Sequence, residues 1–143
     1  MDVSDVLALI AIIISFGCVV YEVYSSKKIN KINLENKYYE KIFDDILLYD
    51  IPKAREYLIF IGNKLEGTKK LQGILVTLRK KSIFFKYNNL DFYKQICEMA
   101  MEIEDYLLNS EGNMTKEEYG EFVIKLDKKI EDLYTLISEN SIS

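Results

Sequence analysis

Residues 6–24 read VLALIAIIISFGCVVYEVY, nineteen residues with one charge, Glu22. At about 1.5 Å of rise per residue, a helix of that length reaches about 28 Å, close to the hydrocarbon thickness of a bilayer. The small and polar residues in and around it are not scattered. Ser4, Ala8, Ala11, Ser15, Cys18, Glu22 and Ser25 follow one another at alternating steps of four and three, which is one stripe of a helix. Apart from Gly17, the rest of the segment is Ile, Leu, Val, Phe or Tyr. Lipid-facing surface favours bulk without polar atoms, whereas close helix packing favours small residues and an occasional hydrogen bond. The stripe therefore predicts a transmembrane helix shaped to meet copies of itself or a partner.

A secretory signal peptide carries positive charge before its apolar run and small residues at a cleavage site. Here the leader is Met1-Asp2-Val3-Ser4-Asp5, which is acidic, and no A-x-A-like site follows. A membrane span is the expected reading. Its orientation follows from Lys27, Lys28, Lys31 and Lys37, which crowd the C-terminal side while no lysine precedes the span. Positive charge stays in the cytoplasm, so the N-terminus is expected outside and the remainder inside. Tyr21 and Tyr24 then fall at the inner interface. The expected division is residues 1–26 as the transmembrane helix and residues 27–143 as one cytoplasmic domain.

Past the span the pattern is helical. Ile29, Ile32, Tyr39, Ile42, Phe43, Ile46 and Tyr49 recur at helical spacing and predict a first helix over 28–49. Pro52 suits the first turn of a short second helix, 52–61, that stops at Gly62-Asn63. Residues 62–67 read as a loop with Thr68 as N-cap. A third helix over 69–86 faces Leu71, Ile74, Leu75, Leu78 and Phe85 inward. A fourth, 90–108, aligns Phe92, Ile96, Met99, Ala100, Ile103 and Leu107. Thr115 and Glu118 form a T-x-x-E capping box before a last helix carrying Tyr119, Phe122, Val123, Leu126, Ile130, Leu133 and Ile137. The fold class is all-α: one N-terminal transmembrane helix and a small bundle of four long helices plus one short one.

Chemistry is constrained by what the chain lacks. It has no histidine, so Ser-His-Asp and Cys-His arrangements are absent. Cys18 and Cys97, far apart in sequence, supply no usual zinc set and read as small packing residues. No glycine-rich phosphate loop occurs. Adjacent acids such as Asp44-Asp45 and Glu117-Glu118 read as solvated surface. Neither an enzyme, a cofactor nor a small-molecule substrate is expected. Charge is nonetheless divided: residues 64–86 hold seven Lys or Arg against one acid, whereas 98–139 hold twelve acids against four lysines. Lys69, Lys70, Arg79, Lys80 and Lys81 form the candidate basic surface. Three uses stay open for it: a solvated face, a head-to-tail contact with an acidic face of another copy, or contact with anionic lipid heads or RNA phosphates.

The span at 6–24, the stretch Tyr38-Tyr39-Glu40-Lys41-Ile42-Phe43, Pro52 and Leu78-Arg79-Lys80-Lys81 together resemble, in architecture, the membrane accessory proteins of type VI-B CRISPR systems and related small membrane effectors of bacterial anti-phage defence. The resemblance implies a HEPN-type helical bundle, assembly into a ring, and damage to the inner membrane once infection is sensed. HEPN nucleases use an Arg followed by a His. Arg79 has no such partner here, so the resemblance carries over no catalytic residue. It implies an assembly or sensing module, with itself and the bilayer as partners and a cytoplasmic defence protein or RNA as a further one. The expected function is a homo-oligomeric single-pass effector that permeabilises the membrane, the stripe serving as packing interface or as pore lining with Glu22 at its mouth. The alternatives are a tethered adaptor for a cytoplasmic partner and a phage-encoded inhibitor of a host process.

Overall fold

The computed structural model describes residues 3–141, with side chains for residue 6 and residues 10–140. It is mostly helical, and contacts separate two units, divided between Lys37 and Tyr38. The division falls beyond the end of the apolar run because the helix goes on past it before the second unit begins. The first unit is the bulk of helix α1 (Val3–Lys41). Nothing in its sequence breaks the backbone ladder, and the Lys31–Glu35 pair at 3.9 Å has the i,i+4 spacing that supports an exposed helix.

In the second unit the helical run does not stop before Pro52. From Ile42 to Asp50 it widens into π-helical geometry, and α2 (Ile51–Arg55) follows directly. Proline lacks an N–H and its ring collides with the carbonyl four residues back. A widened turn just upstream relieves that collision, and the Ile51 N–H reaches back to the Ile46 carbonyl, five residues away. The expected break between 49 and 52 is therefore absent. Ile42, Ile46, Leu47 and Ile51 of this run are buried, and Tyr134 donates its hydroxyl to the Leu47 carbonyl. Burial pushes the Tyr134 phenol above its usual range.

The short helix expected over 52–61 ends early, and residues 59–66 are a β-hairpin. Strand β1 (Ile59–Ile61) pairs antiparallel with β2 (Lys64–Glu66), and β2 pairs with β3 (Gly112–Asn113), giving the order β1-β2-β3. Gly62 (φ 57°) and Asn63 (φ 62°) make the two-residue turn. A hairpin turn of this kind needs positive φ at both positions, where Gly and Asn are tolerated best. Phe60 and Leu65 face each other across the ladder; Leu65 is buried and Phe60 stacks on Tyr119 at 4.7 Å.

Gly67, also in the left-handed region (φ 86°), caps α3 (Thr68–Lys81) in place of Thr68, which is the helix's first residue. Thr68 is buried and its hydroxyl donates to Glu111, tying the start of α3 to the turn before β3. The expected helix over 69–86 is interrupted by a 3₁₀ turn (Ser82–Phe84) and ends in a one-turn α4 (Phe85–Asn88). Asn89 caps α5 (Leu90–Asn109) by accepting from the Phe92 N–H at 3.2 Å. Before α6 (Lys116–Ser141) the capping box closes as expected: Thr115 N–H donates to the Glu118 carboxylate at 2.6 Å, and Glu118 N–H donates to Thr115 Oγ1 at 3.2 Å.

Helix α5 packs against both α3 and α6. Leu71, Leu75 and Leu78 of α3, Ile96, Ala100, Ile103 and Leu107 of α5, and Phe122, Leu126, Leu133 and Ile137 of α6 are buried together. Burying a side chain such as Leu stabilises the fold by about 2 kcal/mol. An aromatic group closes one end: Phe85 lies 4.7 Å from Tyr39 and 5.0 Å from Phe92, and Tyr38 stacks on Phe84 at 4.0 Å. Not every residue whose spacing predicts the helix over 28–49 is packed. Ile29, Ile32, Phe43 and Tyr49 are exposed. The second unit is thus a helical bundle with a small sheet at its edge, and its short helices are α2, which ends at Arg55, and α4.

Candidate membrane interface and charged faces

Among the described residues one helix is long and apolar enough to cross a membrane, and it lies near the N-terminus. All of its described side chains from Ile10 to Tyr24 are exposed, including Ile12, Ile13, Ile14, Phe16, Val19 and Val20. About four consecutive turns of largely apolar surface in water would be a large unfavourable exposure, far beyond the scattered apolar side chains of ordinary surfaces. A bilayer removes that cost.

The structure places Ala11, Ser15, Cys18 and Glu22 along one stripe of this helix, all exposed, while the side chains of Ser4 and Ala8 lie outside the described residues. Ser15 donates its hydroxyl to the Ala11 carbonyl at 2.8 Å. A serine bonded back onto its own helix has a satisfied donor in hydrocarbon and does not require water beside it. Cys18 is a free thiol on the same stripe.

The candidate basic residues are not one patch. Lys69 and Lys70 open α3, and Arg79, Lys80 and Lys81 close it, about 14 Å further along the axis. The three at the C-terminal end complement the partial negative charge of the helix terminus. Arg79 makes a two-pronged pair with Glu104 of α5, Nε to Oε1 at 2.9 Å and Nη2 to Oε2 at 2.8 Å. Lys81 pairs with Asp45 at 3.3 Å, and the Lys70 ammonium lies 3.7 Å from the Tyr57 ring centre. Lys69 and Lys80 are exposed. Further pairs join Arg55 to Asp127 at 2.8 Å and Lys129 to Glu102 at 3.4 Å. Much of the charge division along the sequence is therefore spent within one bundle, where the basic end of α3 meets acids of α5 and of the π-helical run.

The Arg79–Glu104 pair is the best formed of these, with side chains 31% and 19% exposed. Arg79→Ala leaves Glu104 half-buried without its partner and is expected to cost about 1–2 kcal/mol, less than a fully buried pair because water still reaches both groups. Arg79→Lys keeps the charge and loses the fork, and is expected to recover only part of that. Urea unfolding of the three chains measures it, and equal midpoints would show that the pair holds nothing.

Cys97 is half-buried on α5, and its thiol, one turn along from Tyr93, raises the Tyr93 phenol above its ordinary range. Among the described residues no group of three His, Cys, Asp or Glu is placed to hold a metal ion. Shallow surface grooves occur, one lined by Phe43, Ile130 and Tyr134 between the π-helical run and α6. Comparison with protein-family models, with curated proteins and with solved structures gave no match.

The hairpin is the feature that sequence reasoning missed. Its signal is the Gly62-Asn63 dipeptide, a turn pair between IFI and KLE that equally suits a helix stop.

Proposed function

We propose that the chain is a single-pass membrane protein that works as a homo-oligomer and permeabilises the membrane. The observation that carries this reading is the wholly uncovered apolar helix, residues 10–24, on a chain whose bundle buries its own core without it. The stripe of Ala11, Ser15, Cys18 and Glu22 supplies the contact between copies, and the internal bond of Ser15 favours close packing over a wet lining for most of its length. Assembly brings the Glu22 carboxylates together at the cytoplasmic edge, where a ring of acids favours cations. The bundle controls when assembly happens and has no catalytic part. The N-terminus lies outside and the lysines after the span hold the bundle in the cytoplasm. Anti-phage defence is the setting in which such an effector is useful, in keeping with the architectural resemblance to type VI-B CRISPR accessory proteins.

Expression of the chain in bacteria is expected to depolarise them, read by a potential-sensitive dye. Ser15→Leu and Glu22→Leu are each expected to reduce the response several-fold while leaving membrane association unchanged. Full depolarisation by both variants would remove the stripe from the mechanism.

A second reading is supported by the sheet. β1 is an edge strand, and Ile59 and Ile61 on it are exposed, which suits docking of a cytoplasmic partner. An adaptor of that kind keeps its partner after deletion of residues 1–26, whereas a permeabilising effector loses all activity.

A further inference from the structure

We propose that residues 25–37 of α1 form a parallel zipper between copies of this chain, with Ile29, Ile32 and Asn36 at its seam. The proposal rests on the reading that the chain assembles with itself, and it names the water-exposed segment that sets the register. The span's stripe does not end where the apolar run ends. Continuing the same steps of four and three from Glu22 and Ser25 gives Ile29, Ile32 and Asn36. Two stretches meant for different solvents thus keep one register. In lipid the seam is small, as tight helix packing there requires; at Ile29 and Ile32 it is β-branched and apolar, as packing in water requires.

The spacing of Ile29 and Ile32 would equally serve a core, but both side chains are exposed. Ile29 is 54% and Ile32 42% exposed, and Asn36 is exposed beside them. The next seam position, Tyr39, is packed on Phe85 and Phe92 of its own bundle, so the free seam stops at Asn36. A single asparagine at a seam position costs stability and fixes register, since only aligned copies satisfy it.

The occupant is a second copy of the same segment. All copies of a single-pass protein cross the bilayer in one direction, so the helices meet parallel and at one depth. Two heptads are too short to hold together in water alone, but confinement by the span raises the effective concentration of each segment for its neighbour. Ile at both kinds of seam position favours more than two strands. Charge agrees with that. Glu35 flanks the seam on one side and Lys37 lies further round on the other, nearly level along the axis. In an assembly of several helices these two flanks face each other between neighbours, giving Glu35 a cation beyond its 3.9 Å contact with Lys31.

The test uses the full chain in membranes, on a Cys18→Ser, Cys97→Ser background, with single cysteines introduced as Ile29→Cys, Ile32→Cys, Asn36→Cys, Lys27→Cys and Leu34→Cys. Under mild oxidation the first three are expected to form covalent dimers at least five-fold more than the last two, which lie off the seam. Light scattering of the natural chain in mild detergent is expected to give more than two copies. Oligomers with even cross-linking at all five positions, or with a maximum at 27 and 34, overturn the zipper and leave self-assembly standing. A monomer, with no cross-linking anywhere, overturns both.

Discussion

Gly67→Ala is expected to destabilise the second unit by at least about 3 kcal/mol. A Cβ at this position would fall 1.8 Å from the Tyr57 carbonyl oxygen and 2.6 Å from its carbon, both backbone atoms that cannot swing aside. The positive φ of 86° adds the usual penalty of an L-residue in the left-handed region, about 1–2 kcal/mol. Relief requires moving either the turn after α2 or the start of α3, and the latter is fixed by the buried Thr68 and its bond to Glu111. For a unit of this size the melting temperature is expected to fall by at least about 12 °C. Near-ultraviolet circular dichroism of the detergent-solubilised chain measures it, because the packed tyrosines of the second unit report on its packing while the exposed Tyr21 and Tyr24 contribute little. Gly62→Ala is the control: it also has positive φ (57°) but nothing lies within 4 Å of the added carbon, so only about 1–2 kcal/mol is expected. Equal losses in the two variants would mean that the approach of Gly67 to Tyr57 is unimportant.

The second large effect concerns the span. Ile13→Asp together with Phe16→Asp puts two carboxylates near the middle of residues 6–24, at side chains 62% and 71% exposed. Each aspartate at a helix centre costs about 3 kcal/mol to insert, and the lost apolar groups add to it, giving about 6–8 kcal/mol in all. The doubly substituted chain is expected to leave the membrane fraction almost completely, while the tyrosine signal of the bundle is unchanged. Ile13→Leu with Phe16→Leu is expected to stay in the membrane. Retention of the aspartate variant would mean that other parts of the chain hold it there.

The long helices were legible because each repeats apolar residues at three and four, and because Thr115 and Glu118 announce the start of α6 with a local motif. Leu71, Leu75 and Leu78, and Phe92, Ile96, Ala100 and Ile103, are buried as that spacing requires. The hairpin was not legible from periodicity, since strands of three residues cannot show alternation; only Gly62-Asn63 marks it. The helix running through Pro52 was not legible either. Proline argues for a boundary, and the π-helical turn that accommodates it depends on Ile46 and Leu47 being anchored by distant residues such as Tyr134. Ion pairs set the limit for the candidate surface. Arg79 and Glu104 are 25 positions apart, so a basic run in the sequence gives no warning that its strongest cation is already paired. Ile29 and Ile32 illustrate the remaining ambiguity, because one apolar spacing serves an intramolecular core and an intermolecular seam equally well.

The central claim is that the uncovered helix of residues 10–24 lies in a bilayer. Alkaline carbonate extraction of membranes from cells expressing the full chain tests it most directly, because it strips peripheral proteins and leaves inserted helices behind. The chain is expected to remain in the membrane pellet and to be released only by detergent. Release into the carbonate supernatant would contradict it, and would mean that another protein covers the apolar helix.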